Sequence, residues 1–249
     1  MTNSEAGRVT YRAEAGVAII TIDRPAKRNA MIASMCEDLR AAFLRLRDGD
    51  ERVGLLCASG PTFCAGADLT APPDLFWRAV PGVGLALNKP VIAAVQGPVV
   101  GLGLAIVAYC DLCVAGQSTR FIYPEAKVGV PKGLIAGLVA RIPHKIAMEL
   151  MLQGGPVDAA RAYDVGLVNR LVADDAVLAT AMEMAAGIAT SAPPVLAQLK
   201  QLVAETLPAS PTETLYRTSA LVDSVLQSED AAEGVNAFRE KRKPVFRGR

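Results

Sequence analysis

The 249-residue sequence has one histidine, one tryptophan, and aromatic residues at only 5%. It has no excess of either charge, with 26 Lys and Arg against 25 Asp and Glu and a net charge of +1. Balanced charge gives no general pull on polyanions, and there is no basic stripe or aromatic platform, so nucleic-acid binding is not expected. No apolar run reaches the roughly 18 residues that span a bilayer. The longest, Pro98 to Cys110, is interrupted by Gly101 and Gly103, so no membrane association is expected. Met1-Thr2-Asn3-Ser4-Glu5 has no basic region leading into an apolar one, which argues against a signal peptide. The five cysteines are an odd set in apolar surroundings and read as reduced, buried thiols, which places the protein in the cytoplasm. Cys110 and Cys113 have the spacing of a zinc or redox pair. With no second pair and a single imidazole the ligand set is incomplete, so core packing is expected and no metal.

What is present is enough for a large core. Hydrophobic residues make up 51% of the chain, and a chain of this size buries roughly 70% of its extended surface on folding. Val9–Tyr11 and Val17–Ile22 read as two β-segments around Glu14-Ala15-Gly16. Ser34 and Glu37 have capping-box spacing, and Leu39, Ala42, Phe43 and Leu46 recur at helical spacing, which predicts a helix over Ser34–Arg47. Val53–Ala58, Pro90–Val95 and Leu112–Ala115 are short continuous apolar runs, the signature of strands buried on both faces. With helical stretches between them, including a weakly periodic one over Asp74–Leu87, they predict β–α–β crossovers. Asp158 is placed to cap a helix that Gly166 stops. Asp174–Thr190, Pro194–Glu205, Thr212–Gln227 and Glu229–Lys241 read as further helices.

Two glycine-containing turns each follow a buried strand: Gly60-Pro61-Thr62-Phe63-Cys64-Ala65-Gly66-Ala67-Asp68-Leu69 and Gly97-Pro98-Val99-Val100-Gly101-Leu102-Gly103-Leu104. Small residues let a ligand approach the main chain, and N–H groups from two such turns aimed at one oxygen would form an oxyanion hole. Taken singly, each turn is better read as punctuation between elements. The second carries Gly-x-Gly without the third glycine of a dinucleotide fingerprint.

Phe63–Leu69, then Lys89-Pro90-Val91-Ile92-Ala93-Ala94-Val95-Gln96-Gly97, then Cys110-Asp111, resemble the enoyl-CoA hydratase/isomerase (crotonase) family. Pro124-Glu125, Gly129, the Ala160–Asn169 segment and Phe238–Pro244 match it further, so the resemblance runs from about Val9 to Arg249. It implies an α/β fold: a crotonase-like core of stacked β-β-α turns over residues 1–173, carrying a CoA-thioester site, then a C-terminal helical trimerisation region over 174–249. It also implies an acyl- or enoyl-CoA substrate, no cofactor beyond the CoA of that substrate, and a homotrimer or dimer of trimers.

By position, the resemblance makes Ala67 and Leu102 the oxyanion-hole donors and Glu125 a proton-transferring carboxylate. Leu102 stands where relatives usually have Gly or Ala. A second carboxylate, present in the family's hydratases, falls at Ala105, which cannot exchange protons. Hydration usually draws on both an acid and a base, whereas a double-bond isomerase can shuttle a proton with one carboxylate, so isomerase-like chemistry is favoured. An enoyl-CoA hydratase, or a non-catalytic CoA-thioester-binding relative, is the alternative. Further binding positions implied are Lys27, Asn29 and Ala30 around the adenine and phosphates, with Ala65, Asp68, Leu69, Gly101 and Ala105 at the turns. Trp77, with Phe76, is assigned to the acyl chain or to simple packing. Phe238 and Lys241 are assigned to CoA or, for the basic Lys241–Lys243 run, to an exposed helix end. A serine or cysteine hydrolase is the rival class, but no Gly-x-Ser-x-Gly elbow is present and nothing in the sequence ties Cys64 to His144.

Overall fold

A computed structural model describes residues 7–130 and 132–248. Strands β1 (Arg8–Glu14) and β2 (Val17–Asp23) form an antiparallel hairpin whose two turn residues, Ala15 and Gly16, both have positive φ. Such a turn matches the right-handed twist of the strands it joins. Helix α1 (Ala33–Asp48) then buries Met35, Cys36, Leu39, Phe43 and Leu46 along one face. The expected capping box does not form. Ser34 lies inside the helix, and the residue before it, Ile32, caps without a side-chain bond. The helix start is fixed instead by Met31, whose main chain bridges to Ala67, and Glu37 pairs with Arg78 at 2.9 Å.

The rest of the core repeats one motif. After β3 (Val53–Ala58) come β4 (Val91–Val95), β5 (Pro98–Val100) and α2 (Leu102–Ala108). The same order returns with β6 (Leu112–Gly116), β7 (Arg120–Ile122) and α3 (Glu125–Val128). After α4 (His144–Gln153), β8 (Val157–Asp158), α5 (Ala159–Asp164) and β9 (Arg170–Val172) close the core. The first strand of each repeat enters a six-stranded sheet of order β1-β2-β3-β4-β6-β9, parallel beyond the β1–β2 hairpin. The second strands, β5 and β7, pair in a three-stranded sheet of order β5-β7-β8, which β8 joins antiparallel to β7. This is the stacked β-β-α arrangement of the crotonase fold. Continuous apolar runs suit β3, β4 and β6, which are buried almost throughout.

The segment between β3 and β4 departs from expectation. No α-helix crosses there; Asp74–Leu87 contains one 3-10 turn, Phe76–Ala79, because Pro81, Gly82 and Gly84 stop it. The first of the two glycine-containing turns therefore opens into a loop, and only the second opens a helix, α2.

The C-terminal helices α6 (Val177–Ala189), α7 (Pro193–Thr206), α8 (Pro211–Leu226) and α9 (Glu229–Arg239) match their expected spans within a few residues. Helix α6 lays Val177, Ala181 and Ala185 against Val17, Val53, Ile92 and Val114, so it covers the outer face of the large sheet. Asp158 caps α5 as expected, its Oδ1 accepting from the Arg161 N–H at 2.9 Å. No helix among the described residues is long and apolar enough to cross a membrane.

Candidate active site

Three chain segments meet at one cleft, and backbone hydrogen bonds hold them there. The Cys64 N–H donates to the Pro98 carbonyl at 3.1 Å and the Val100 N–H to the Cys64 carbonyl at 2.9 Å, which zips the two glycine-containing turns together. The Gly101 N–H donates to the Ile122 carbonyl at 2.9 Å, which brings in the strand leading to Glu125. Each turn leaves one amide over. The Met31 N–H donates to Gly66 and the Asp68 N–H to Met31, both at 2.8 Å, while the Ala67 N–H between them has no acceptor among the described residues. Leu102 is the first residue of α2, where an N–H has no partner within the helix. Both residues line the cleft, and the Leu102 side chain is 6% exposed, packed into the core as well as forming the wall.

The cleft has a volume of about 120 Å³ and apolar walls, among them Leu69, Phe76, Val128, Leu134 and Ile135. Glu125 opens α3, and its carboxylate turns inward. An added Cβ on Gly101 would sit 2.7 Å from Glu125 Oε1, so the acid lies directly against the turn that presents the Leu102 amide. Gly101 has φ of 50°, a conformation that suits glycine, and the same missing side chain makes the space for the carboxylate. Glu125 Oε2 is buried with no hydrogen-bond partner, and burial pushes the carboxyl up to about 7. Desolvation favours the neutral form, which sets this group near the pH where it can both take and return a proton. Ala105, on the first turn of α2, lines the same cleft. Glu125 is the one acidic side chain on the cleft wall among the described residues.

The remaining predicted positions divide. Lys27, Ala30, Ala67, Asp68 and Leu69 line an open groove of about 480 Å³ next to the cleft, joined to it at Ala67 and Leu69. Ala65 lines the cleft, while its N–H is engaged by the Arg28 carbonyl at 2.9 Å. Asp68 is held down to about 2, first by the Thr70 hydroxyl and then by Arg24, whose Nη1 lies 2.8 Å away. A carboxylate so engaged clamps the Ala67 turn to the 24–30 segment.

Asn29 differs from its expected role. It is fully buried, its Oδ1 accepting from the Arg24 N–H at 2.7 Å and its Nδ2 donating to the carbonyls of Ser59 and Thr62 at 2.8 and 2.7 Å. With every polar atom engaged, the side chain braces the first turn and has nothing left for a ligand. Asn29→Ala strands these three main-chain groups, and each buried orphan costs about 1 kcal/mol or more. We expect a loss of about 3 kcal/mol, which for a chain of this length lowers Tm by about 10 °C in a thermal melt.

Trp77 also differs. It is 6% exposed, stacks on Tyr216 with centroids 5.5 Å apart, and does not line the cleft; its neighbour Phe76 does. Adjacent residues of a 3-10 turn point in different directions, and only one can face the cavity. Phe238 is 85% exposed and Lys241 is exposed beyond the end of α9, both away from the cleft of their own chain. Sequence reasoning missed Tyr123, Lys132, Leu134 and Ile135, all on the cleft wall. Tyr123 and Lys132 lie in irregular chain, and Leu134 and Ile135 open a short 3-10 helix, Leu134–Ala140, too brief for periodicity to mark which side chains turn inward.

The hydrolase elements are apart from this chemistry. Cys64 is fully buried with its thiol pushed up to about 12, and His144 is exposed at the start of α4. A larger cavity of about 650 Å³ beside α7 and α8 contains none of the predicted positions. Most of its charged groups are already paired, Lys200 with Asp111 at 2.7 Å and Glu213 with Arg217 and Tyr109 at 2.8 and 2.9 Å, while Glu205 accepts from Gln201 at 3.0 Å.

The family model described as enoyl-CoA hydratase/isomerase matches residues 12–249. The chain is 38% identical over 247 residues to the carnitinyl-CoA dehydratase of Citrobacter koseri, covering 92% of this chain and 94% of that protein. It is 36% identical to the enoyl-CoA hydratase EchA19 of Mycobacterium tuberculosis, covering 93% of each. A solved structure of a probable enoyl-CoA hydratase/isomerase from Mycobacterium abscessus superposes with a TM-score of 0.75 at 38% identity, over 97% of this chain and 98% of that one.

Proposed function

The chain belongs to the enoyl-CoA hydratase/isomerase family, and from that premise we propose that it moves the double bond of a short enoyl-CoA thioester with Glu125 as the single proton carrier. The Ala67 and Leu102 N–H groups hold the thioester oxygen. Glu125, as carboxylate, removes the C2 proton of a 3-enoyl thioester. The electron pair delocalises over C2, C4 and the thioester oxygen, where the two amides meet the growing charge; losing one such donor typically costs about 3 kcal/mol. Glu125, now protonated, returns the proton to C4 and leaves the 2-enoyl thioester. Atoms and charge balance without water or cofactor.

The observation that carries this reading is the lone carboxylate against Gly101, its Oε2 buried and unpartnered, with Ala105 in place of a second acid. The short acyl chain follows from volume: a cavity of roughly 150 Å³ takes a six-carbon ring, and this one is smaller, at about 120 Å³. Hydration or dehydration is the second reading, favoured by the names of the two relatives. Following 2-enoyl- and 3-enoyl-CoA of four to six carbons by mass spectrometry separates the two. Conversion of the 3-enoyl substrate with no change in mass is the expected result. Rapid gain of one water by the 2-enoyl substrate, unimpaired in Glu125→Gln, would overturn it.

The groove holding Lys27 and Ala30 is assigned to the nucleotide end of CoA. Phe238 and Lys241 are assigned to the CoA bound by a neighbouring copy in a homotrimer. That assembly is supported by the exposed apolar residues of α7 and α8, including Leu199, Leu202, Leu221 and Val225.

A further inference from the structure

Among the described residues the cleft wall holds one cation, and no carboxylate pairs with it. Lys132 stands on the wall, half-buried, in the chain just before Leu134 and Ile135, which close the apolar side. Its Nζ lies 5.0 Å from the centre of the Phe76 ring, itself a buried wall residue. Among the described residues it makes no ion pair or hydrogen bond through that ammonium; its stabilising contact is the ring face. The ring face attracts the ammonium but supplies only part of what a carboxylate counter-ion would. Lys132 is absent from the groups that act on Glu125, whose carboxyl is governed by burial. The two charges therefore sit at separate parts of one small cavity, the acid at the turns that present the amides and the ammonium against Phe76.

We propose that Lys132 selects substrates whose acyl chain ends in a carboxylate, so that the preferred ligand is the mono-CoA thioester of a short unsaturated dicarboxylic acid. This rests on the proposed function for the placement of the thioester and adds the class of its tail. With the thioester carbonyl at Ala67 and Leu102, a short tail passes Glu125 along apolar walls. A terminal carboxylate then meets the ammonium of Lys132, the one cation on the cleft wall among the described residues, and forms a charge-assisted hydrogen bond with it. A neutral tail of the same length leaves the ammonium unpaired, and a cationic tail opposes it. A site built to pair one polar group of a substrate disfavours the analogue that lacks it.

The test compares three short enoyl-CoA thioesters of equal length, with terminal carboxylate, methyl and trimethylammonium groups, on the wild type, Lys132→Met, Lys132→Arg and Lys132→Glu. The expected result is a kcat/KM for the carboxylate substrate at least 10-fold above that for the methyl one, carried mainly by KM. That ratio should collapse in Lys132→Met, survive in Lys132→Arg and turn toward the trimethylammonium substrate in Lys132→Glu. Each ratio is taken within one variant, so a general loss of folded protein cancels. A contact of Lys132 with a CoA phosphate would shift all three substrates alike and leave the ratio intact, which would refute the proposal. A wild-type preference for the methyl substrate would refute it too. If none of the thioesters is turned over, the isomerase reading is lost, and calorimetric Kd values for the three still decide the ranking by tail charge.

Discussion

Replacing Glu125 by glutamine is expected to lower kcat/KM for double-bond migration by about 10²- to 10⁴-fold, the range that one positioned acid-base group contributes. Glutamine keeps the shape of the side chain and the seat against Gly101 but cannot carry a proton. The pH dependence identifies the cause. The carboxylate form starts the reaction, so wild-type kcat/KM should rise with pH and level off above about 7, where the buried carboxyl loses its proton. The residual rate of Glu125→Gln should lack that limb. A variant retaining the wild-type limb would assign the titration to another group.

The same carboxyl should show itself in stability, with a definite sign. In the unfolded chain it loses its proton near its ordinary value of 4.5, but in the folded chain only near 7. Between these values the folded state holds a proton that the unfolded state has released, so stability falls as pH rises through that window and stays low above it. Each unit of difference corresponds to about 1.4 kcal/mol, and the group keeps some solvent contact, so the cost at pH 8 should be about 2 kcal/mol. Glu125→Gln removes the ionisation. Denaturant unfolding should therefore find the variant gaining on the wild type from pH 4.5 to 8. No change in their difference across that range would mean that the acid is well solvated.

Gly101→Ala is expected to have the second large effect, and to act through Glu125. A Cβ at Gly101 would lie 2.7 Å from Glu125 Oε1 on a residue with φ of 50°. The backbone at Gly101, with φ of 50° and ψ of −109°, costs an alanine about 1–3 kcal/mol, and the carboxylate must move away from the turn. Displacement by about 1 Å from a reacting atom can cost 10²-fold in rate, so kcat should fall by about that factor while the protein remains folded. In a Glu125→Gln background, Gly101→Ala should cost little further activity, because the two act as one unit. Additive losses in the double variant would show that Gly101 works instead by setting the Leu102 amide.

How much of this was legible in the sequence differs from element to element. The buried strands β3, β4 and β6 announce themselves because each lies between layers and must be apolar at every position. The C-terminal helices are equally plain from their spacing. The short strands β5, β7 and β8 are not, since two or three residues carry no period. The Ser34–Glu37 pair satisfied a capping rule and yet did not cap, because the bridge from Met31 to Ala67 decided where α1 begins. Asn29 and Trp77 had residue types suited to ligand contact, and both were taken up by packing that links distant parts of the chain.

By itself the sequence determined the long buried strands and the C-terminal helices through local burial patterns, and its motifs carried the resemblance that implied the layered β-β-α core and a working acid at Glu125. The tertiary structure alone decided that this acid faces an apolar cavity with one oxygen unpartnered, that Gly101 makes room for it, and that Lys132 shares the cleft with it. Residues 66, 101 and 125 lie on separate segments. The desolvation of Glu125 and its contact with Gly101 arise only when folding brings those segments together and excludes water between them.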